Sequence, residues 1–406
     1  MNAAQRRSPR KLIVLSAFIC VHLWLHNSVV QAQPQFEKRW LTAIFYSEGA
    51  NFGDFNKDGH HDLVSGPFIY DGPEFTMKRP FMPVECQEPL AYSQNFFTFV
   101  HDFNNDGWPD IFIIGFPGAD AYWYENPGNA DWKDHWKQHH VFKGVGNESP
   151  TLADITGDGK PDLIFNKPDG DFGYATPDPD DPTKAWTFHP ISRGLKHGKF
   201  THGMGVGDIN GDGRMDLLEK TGWWQQPDSL DGDVTWIKHD FAFAEAGGAQ
   251  MYAYDVNGDD LNDIITSLHG HGYGLAWYEQ VRDGNKITFK QHLILSPNAD
   301  EKINDVQFSQ LHALDLVDID GDGVKDILTG KRYWAHGPKG DPEPNAPAVL
   351  YWFKLTRDNG KATYTPHLID DNSGVGVQVV AGDITGNGKP DIVIGNKKGS
   401  FLFLQK

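Results

Sequence analysis

A nine-residue phrase recurs seven times along this chain, and that recurrence constrains its fold more than any other feature. The fullest copy runs from Asp318 through Asp320 and Asp322 to Asp326, with Gly323 at position six and the apolar pair Ile327-Leu328 behind it. Oxygen-bearing side chains stand at positions one, three, five and nine of every copy. They are Asp54, Asn56, Asp58 and Asp62; Asp102, Asn104, Asp106 and Asp110; Asp154, Thr156, Asp158 and Asp162; Asp208, Asn210, Asp212 and Asp216; Asp255, Asn257, Asp259 and Asp263; the Asp318 set; and Asp383, Thr385, Asn387 and Asp391. The copies start 48, 52, 54, 47, 63 and 65 residues apart. Spacing of this size marks a propeller, a solenoid or an array of repeats.

Within the phrase, alternate oxygen ligands and a central glycine suit a hard cation. Calcium takes six to eight oxygens and accepts carboxylates mixed with carbonyls and water, and glycine permits the left-handed turn that lets them converge. Asp-Gly and Asn-Gly also make turns with no ion at all, which accounts for the glycine but not for an aspartate at position nine in all seven copies. Two carboxylates about 5 Å apart repel by roughly 3 kcal/mol at an effective dielectric of 20. Each loop holds two to four of them, so the sequence predicts several calcium ions, up to seven. The Asp318 loop should bind best. The Asp255 loop has Asp260 where glycine belongs, and the Asp383 loop has only two carboxylates. An EF-hand is excluded, because position twelve of the first loop is Ser65 rather than glutamate.

The sequence around each loop is strand-like. A glycine-rich apolar strand precedes it, as in residues 204–207, and an alternating strand follows, as in 263–266. An aromatic third strand (122–124, 222–224, 276–278, 350–353) and a fourth (186–191, 287–293, 362–368) complete the unit. Four short antiparallel strands make one propeller blade, and the aromatic third strand reads as core between blades. The last repeat stops at its third strand, Phe401 to Leu404, while Phe36 to Ile44 resembles a fourth strand with no blade before it. The expected fold is therefore an all-β, seven-bladed β-propeller of four-stranded antiparallel blades, closed by the N-terminal strand completing the last blade. Two proline-rich insertions, residues 177–183 and 337–347, read as exposed loops.

Arg6, Arg7, Arg10 and Lys11 precede an apolar stretch from Leu12 to Leu25, and small residues end at Ala32. That is the pattern of an export signal, so we expect residues 1–32 to be a signal peptide. Residues 33–406 should form a single propeller, secreted or periplasmic, with no membrane span after cleavage and acting as a monomer. Losing the signal's four basic residues takes the net charge from −19 to −23, which disfavours nucleic acid as a partner. Cys20 lies in the signal, leaving Cys86 alone, so no intrachain disulfide is possible.

The loops resemble the calcium-binding repeats of FG-GAP or VCBS proteins, whose best-known members form the seven-bladed head of integrin α-subunits; Gly66-Pro67 and Gly115-Phe116-Pro117 echo the FG-GAP spelling. That resemblance implies the same fold and calcium. It also implies a binding or scaffold module for carbohydrate or extracellular protein ligands, or, in some lineages, a carbohydrate-active lyase or dehydratase.

Topology narrows where a ligand could sit. If first strands run toward the calcium loops, the residues six before each loop ring the opposite mouth: Glu48, Phe96, Glu148, His202, Ala249, His312 and Val377. The turns after the second strands add His269, His271, Lys331, Arg332, Tyr333 and His336, with Lys167, Lys397 and Lys398. Four imidazoles near one rim suit a further metal ion, an acidic ligand or acid–base chemistry. The set loosely resembles the propeller part of fungal aldos-2-ulose dehydratases, in which a metal and histidines serve sugar dehydration. No nucleophile motif or cofactor loop occurs; Gly203-Met-Gly205 has no following helix.

Overall fold

The computed structural model describes residues 33–232 and 234–406; the expected signal peptide lies outside the described residues. The alternating segments pair into seven four-stranded antiparallel sheets. Among the described residues every named element is a strand. Blades one to six occupy residues 50–80, 97–142, 146–190, 204–240, 252–295 and 314–370. Blade seven takes three strands from residues 380–405 and its fourth from Phe36–Thr42. Phe36 pairs with Gln405 and Trp40 with Phe401. The indole of Trp40 stacks on Phe401 at 5.5 Å between centroids, and Lys38 reaches Asp370 of blade six at 2.8 Å. Closure leaves no open edge at this seam, which is how a ring of sheets avoids templating aggregation.

Position nine of each loop does mechanical work. All seven aspartates are buried. In blade four, Asp216 accepts the backbone N–H of Ile209, at loop position two, at 2.9 Å, and that of Gln226, beyond the third strand, at 2.9 Å. Asp62, Asp110, Asp263, Asp326 and Asp391 make the same pair of bonds in their own blades, Asp391 through the N–H of Thr385. Asp162 instead takes the amides and hydroxyl of the loop itself. The amide of Gln226 then reaches back to the carbonyl of Ile155 in the preceding blade at 2.8 Å; Asn126, Gln280 and Gln405 repeat the reach to Phe55, Ile209 and Ile319. Six of the seven loops are thus bolted to their own third strand or the residues just beyond it, and four are strapped by the next blade. Unsatisfied, those buried groups would cost about 1–3 kcal/mol apiece.

Aromatic third strands form the core, as their sequence suggests: Trp123, Trp223, Trp277 and Trp352 are all buried. Each stacks on a histidine from the fourth strand, His139, His239, His292 or His367, at 4.1–4.5 Å. Tyr174 stacks on His189 in the same register.

The axis is not an open tube. First strands line an axial cavity of about 390 Å³, and long amides tie these strands across blades. Gln378 exchanges two hydrogen bonds with Thr98. Gln250 joins the N–H of Leu314 to the carbonyl of Val377.

Candidate functional site at the channel mouth

The residues six before the loops do lie together. Glu148 leads into blade three, His202 into blade four and His312 into blade six, while His271 sits on the blade-five turn between Asp263–Ser267 and Leu275–Asp283. The ring centroids of His202 and His312 are 5.4 Å apart, and His271 stands 5.0 and 4.3 Å from them. One ligand atom from each of the three histidines and from Glu148 falls within 4.8 Å of all the others. His202 Nε2 is 3.4 Å and His312 Nε2 3.7 Å from the same Glu148 oxygen. Backbone chemistry creates the space. A Cβ at Gly270 would lie 2.8 Å from His202 Cδ2 and 3.4 Å from His312 Nε2, so only glycine fits beneath the rings.

Electrostatics define the resting state. His202 Nδ1 donates to the carbonyl of Phe200 at 2.8 Å, which turns Nε2 toward Glu148. His202 Nε2 and both ring nitrogens of His312 are buried without hydrogen-bond partners. Burial, then the nearby Arg332 charge, drives His312 well below the ordinary histidine range; burial lowers His271 as well. Burial would raise Glu148, but His202 and Arg332 outweigh it and hold the carboxyl down at about 2. Metal ligation needs neutral imidazoles and an ionised carboxylate, and burial at His312 and His271 works in that direction.

Other candidate residues go elsewhere. Arg332 is buried and paired with Glu48, with Nε 2.8 Å from its carboxylate and Nη2 closer still. Its Nη1 also approaches Glu148 at 3.5 Å. Lys331 is fully buried and donates to Ser309 at 2.6 Å, and burial lowers it to about 8. Tyr333 stacks on Trp334 beneath Lys398. His269 lies 6.5 Å from His271, behind it, and accepts the His271 backbone N–H. His336 lines the pocket, stacked on His271 at 4.3 Å.

The 337–347 insertion is largely exposed, as expected, but one of its side chains turns inward. Asp341, whose side chain is only 7% exposed, accepts from His336 Nδ1 at 2.9 Å, and the carbonyl of Pro342 accepts from Ser309 and Gln310. No register in the sequence marks Asp341. The fourth-strand histidines were also missed, although each follows its aromatic partner by 15 or 16 residues, a period the sequence does display.

Glu148, His202, His271, Arg332 and His336 form one wall of a cavity of about 290 Å³ whose remaining lining is aromatic: Tyr92, Phe96, Phe116 and the half-exposed Phe200. A second cavity of about 420 Å³, between blades one and two, involves Tyr46, Tyr124, Trp136 and several amides.

On the other face the loops are tight turns. Asp318 accepts the amides of Gly321, Asp322 and Gly323 at 2.8–3.0 Å, and the other first-position aspartates do likewise. Among the described residues, only the Asp318 loop draws three carboxylates, from Asp318, Asp320 and Asp326, within 4.8 Å of one another. Lys354 bridges Asp320 and Asp322 there, 3.0 Å from the latter.

Residues 102–165 match the family model of an FG-GAP-like repeat, which covers the second and third loops. No curated protein sequence matches the chain. Among solved structures, BBS1N in complex with ARL6DN is similar with a TM-score of 0.50 at 9% identity, over 91% of this chain and 95% of that one. The rhamnogalacturonan lyase YesW gives 0.44 at 12% identity over 91% and 72%. An auxiliary nutrient binding protein from Bacteroides ovatus gives 0.45 at 8% over 76% and 68%. At such identities the likeness is one of fold. No helix among the described residues is long and apolar enough to cross a membrane.

Proposed function

We propose that this chain is an exported, calcium-stabilised propeller that binds a polyhydroxylated ligand at its mouth, through a transition-metal ion held by Glu148, His202, His271 and His312. The convergence of these four side chains carries the reading: one ligand atom from each lies within 4.8 Å of the others, with Glu148, His202 and His271 in the wall of the mouth pocket and His312 buried against them. Ligands held at about 2.0–2.2 Å in a tetrahedron stand roughly 3.4 Å apart, and the His202–Glu148 and His312–Glu148 separations are 3.4 and 3.7 Å. Imidazole with a carboxylate suits zinc, iron, nickel or copper rather than calcium. When bound, the ion would act as a Lewis acid toward ligand oxygens, and the aromatic lining would take the apolar face of a ring.

Calcium is assigned to the loops on the opposite face, foremost the Asp318 loop. Its support is the oxygen set at positions one, three, five and nine. Export rests on the composition of residues 1–32.

A second reading is catalysis, as a sugar lyase or dehydratase. It is favoured by His336, which lines the same pocket half-exposed with Nδ1 held by Asp341, leaving Nε2 as a base.

The test is cobalt or zinc titration of the full chain with calcium present. One transition ion per chain should bind tightly, and His202→Ala with His312→Ala should abolish that binding while leaving the calcium-dependent rise in Tm intact. Gly270→Ala, which pushes a methyl against both rings, should weaken it. Failure of the unaltered protein to take up either ion would overturn the metal centre, as would undiminished uptake by the double variant.

A further inference from the structure

We infer that Asp341, delivered by the blade-six insertion, is a positioning residue that fixes the His271 ring for the metal centre; this rests on the metal reading above. A histidine ligates through one nitrogen only when the other holds the proton, and outer carboxylates or carbonyls commonly set that choice. His202 has such a partner in the carbonyl of Phe200. His271 has none on its own turn: its Nδ1 is buried and makes no well-aligned hydrogen bond. The acceptor within reach is Asp341 Oδ1, 3.4 Å away. The same oxygen accepts from His336 Nδ1 at 2.9 Å, and the other Asp341 oxygen accepts the His336 backbone N–H at 2.9 Å.

Asp341 thus both closes the turn at His336 and faces His271. Its side chain is mostly buried although the neighbours Lys339, Gly340, Pro342 and Glu343 are exposed. The loop is pinned so that it stays there. Ser309 Oγ and Gln310 Nε2 hold the carbonyl of Pro342 at 2.8 and 3.2 Å, and these two residues lead directly into His312. The segment that carries one metal ligand therefore also anchors the residue that orients another. With Nδ1–H directed at Asp341, Nε2 of His271 keeps its lone pair for the ion.

The experiment compares cobalt affinity and the visible cobalt spectrum in the full chain, Asp341→Asn, His336→Phe and Glu343→Gln. Losing an outer-shell partner of this kind weakens metal binding by about 10–100-fold. Asp341→Asn should show that loss and a changed cobalt spectrum, at unchanged Tm. Glu343→Gln, which alters the loop's contact with Tyr273, should stay within about three-fold of the unaltered protein, and His336→Phe, which keeps the carboxylate but changes a ring stacked on His271, should lose less than Asp341→Asn. Equal affinity and an identical spectrum for Asp341→Asn would overturn the inference. So would an equal loss in His336→Phe, because loop docking rather than the carboxylate would then be responsible. If Asp341→Asn does not fold, Asp341→Ser is read by the same criteria. If the unaltered protein binds no cobalt, the metal reading fails and this inference falls with it; if it binds and only the Asp341 comparison fails, the metal reading stands.

Discussion

The two faces of this propeller are built on opposite plans. On the loop face one device is repeated: a tight acidic turn whose ninth residue is buried and bonded to an amide of its own loop and, in six blades, to an amide in the third strand or just beyond it. On the mouth face nothing repeats. Glu148, His202 and His312 share a register, yet blades two, five and seven put Phe96, Ala249 and Val377 at the same place, and the completing groups, His271 and Asp341, come from turns of unequal length. A ring needs each blade to bond its neighbour in the same way, so the loop face carries stability. A site needs difference, and the mouth supplies it.

The largest expected effect comes from breaking the ring itself. Deleting Phe36–Thr42 leaves Gly399–Gln405 as an open edge, and such edges template aggregation. Soluble monomer should fall to a small fraction of the full-length yield by gel filtration. A stable monomer would show that the seam does not depend on that strand.

Next comes the loop face. Asp216→Ala strands the buried amides of Ile209 and Gln226, at about 1–3 kcal/mol each, so denaturant unfolding should shift by roughly 2–5 kcal/mol. Removing calcium tests the same loops from outside: an ion present at 100 times its Kd adds about 2.7 kcal/mol, and chelation should lower Tm accordingly. The Asp216→Ala cost should survive in excess chelator, because the bolt is made by protein alone. Should it vanish there, position nine acts only through the ion. A Tm indifferent to chelator, in protein shown to be metal-free, would remove calcium from the account.

The smallest effect lies in the outer strands, between the faces. Burial lowers His239. The unfolded chain protonates this ring near pH 6.5 and the folded chain only at lower pH, so its contribution to stability shrinks as pH falls below about 6.5. His239→Phe keeps a ring on Trp223 but does not titrate, and subtracting its melting profile cancels every other group. The variant's relative stability should rise from pH 8 to pH 5. A flat difference would mean that His239 stays solvated.

The sequence made the loop face legible because its rule is periodic. Seven phrases, four strand types and an unpaired N-terminal strand give the ring and its closure. Periodicity does not reveal direction, however. Position nine reads as a ligand, since an oxygen's type is visible and the amides it faces are not; the apolar residue at position two of every loop was the available sign that the turn has a buried side. At the mouth, counting back six residues finds Glu148, His202 and His312 for the same periodic reason. It does not find that Arg332 is spent on Glu48, a partner 284 residues away in the chain. Nor does it find Asp341, which an insertion delivers without any register.

The amides of Gln250 and Gln378 have a last consequence. The mouth pocket and the axial cavity share no lining residue, and these side chains tie first strands together between the two faces. The mouth is therefore a cup rather than a tunnel. On the proposed function, a long polyhydroxylated ligand would therefore be met at a terminus or a side branch and would leave by the rim it entered.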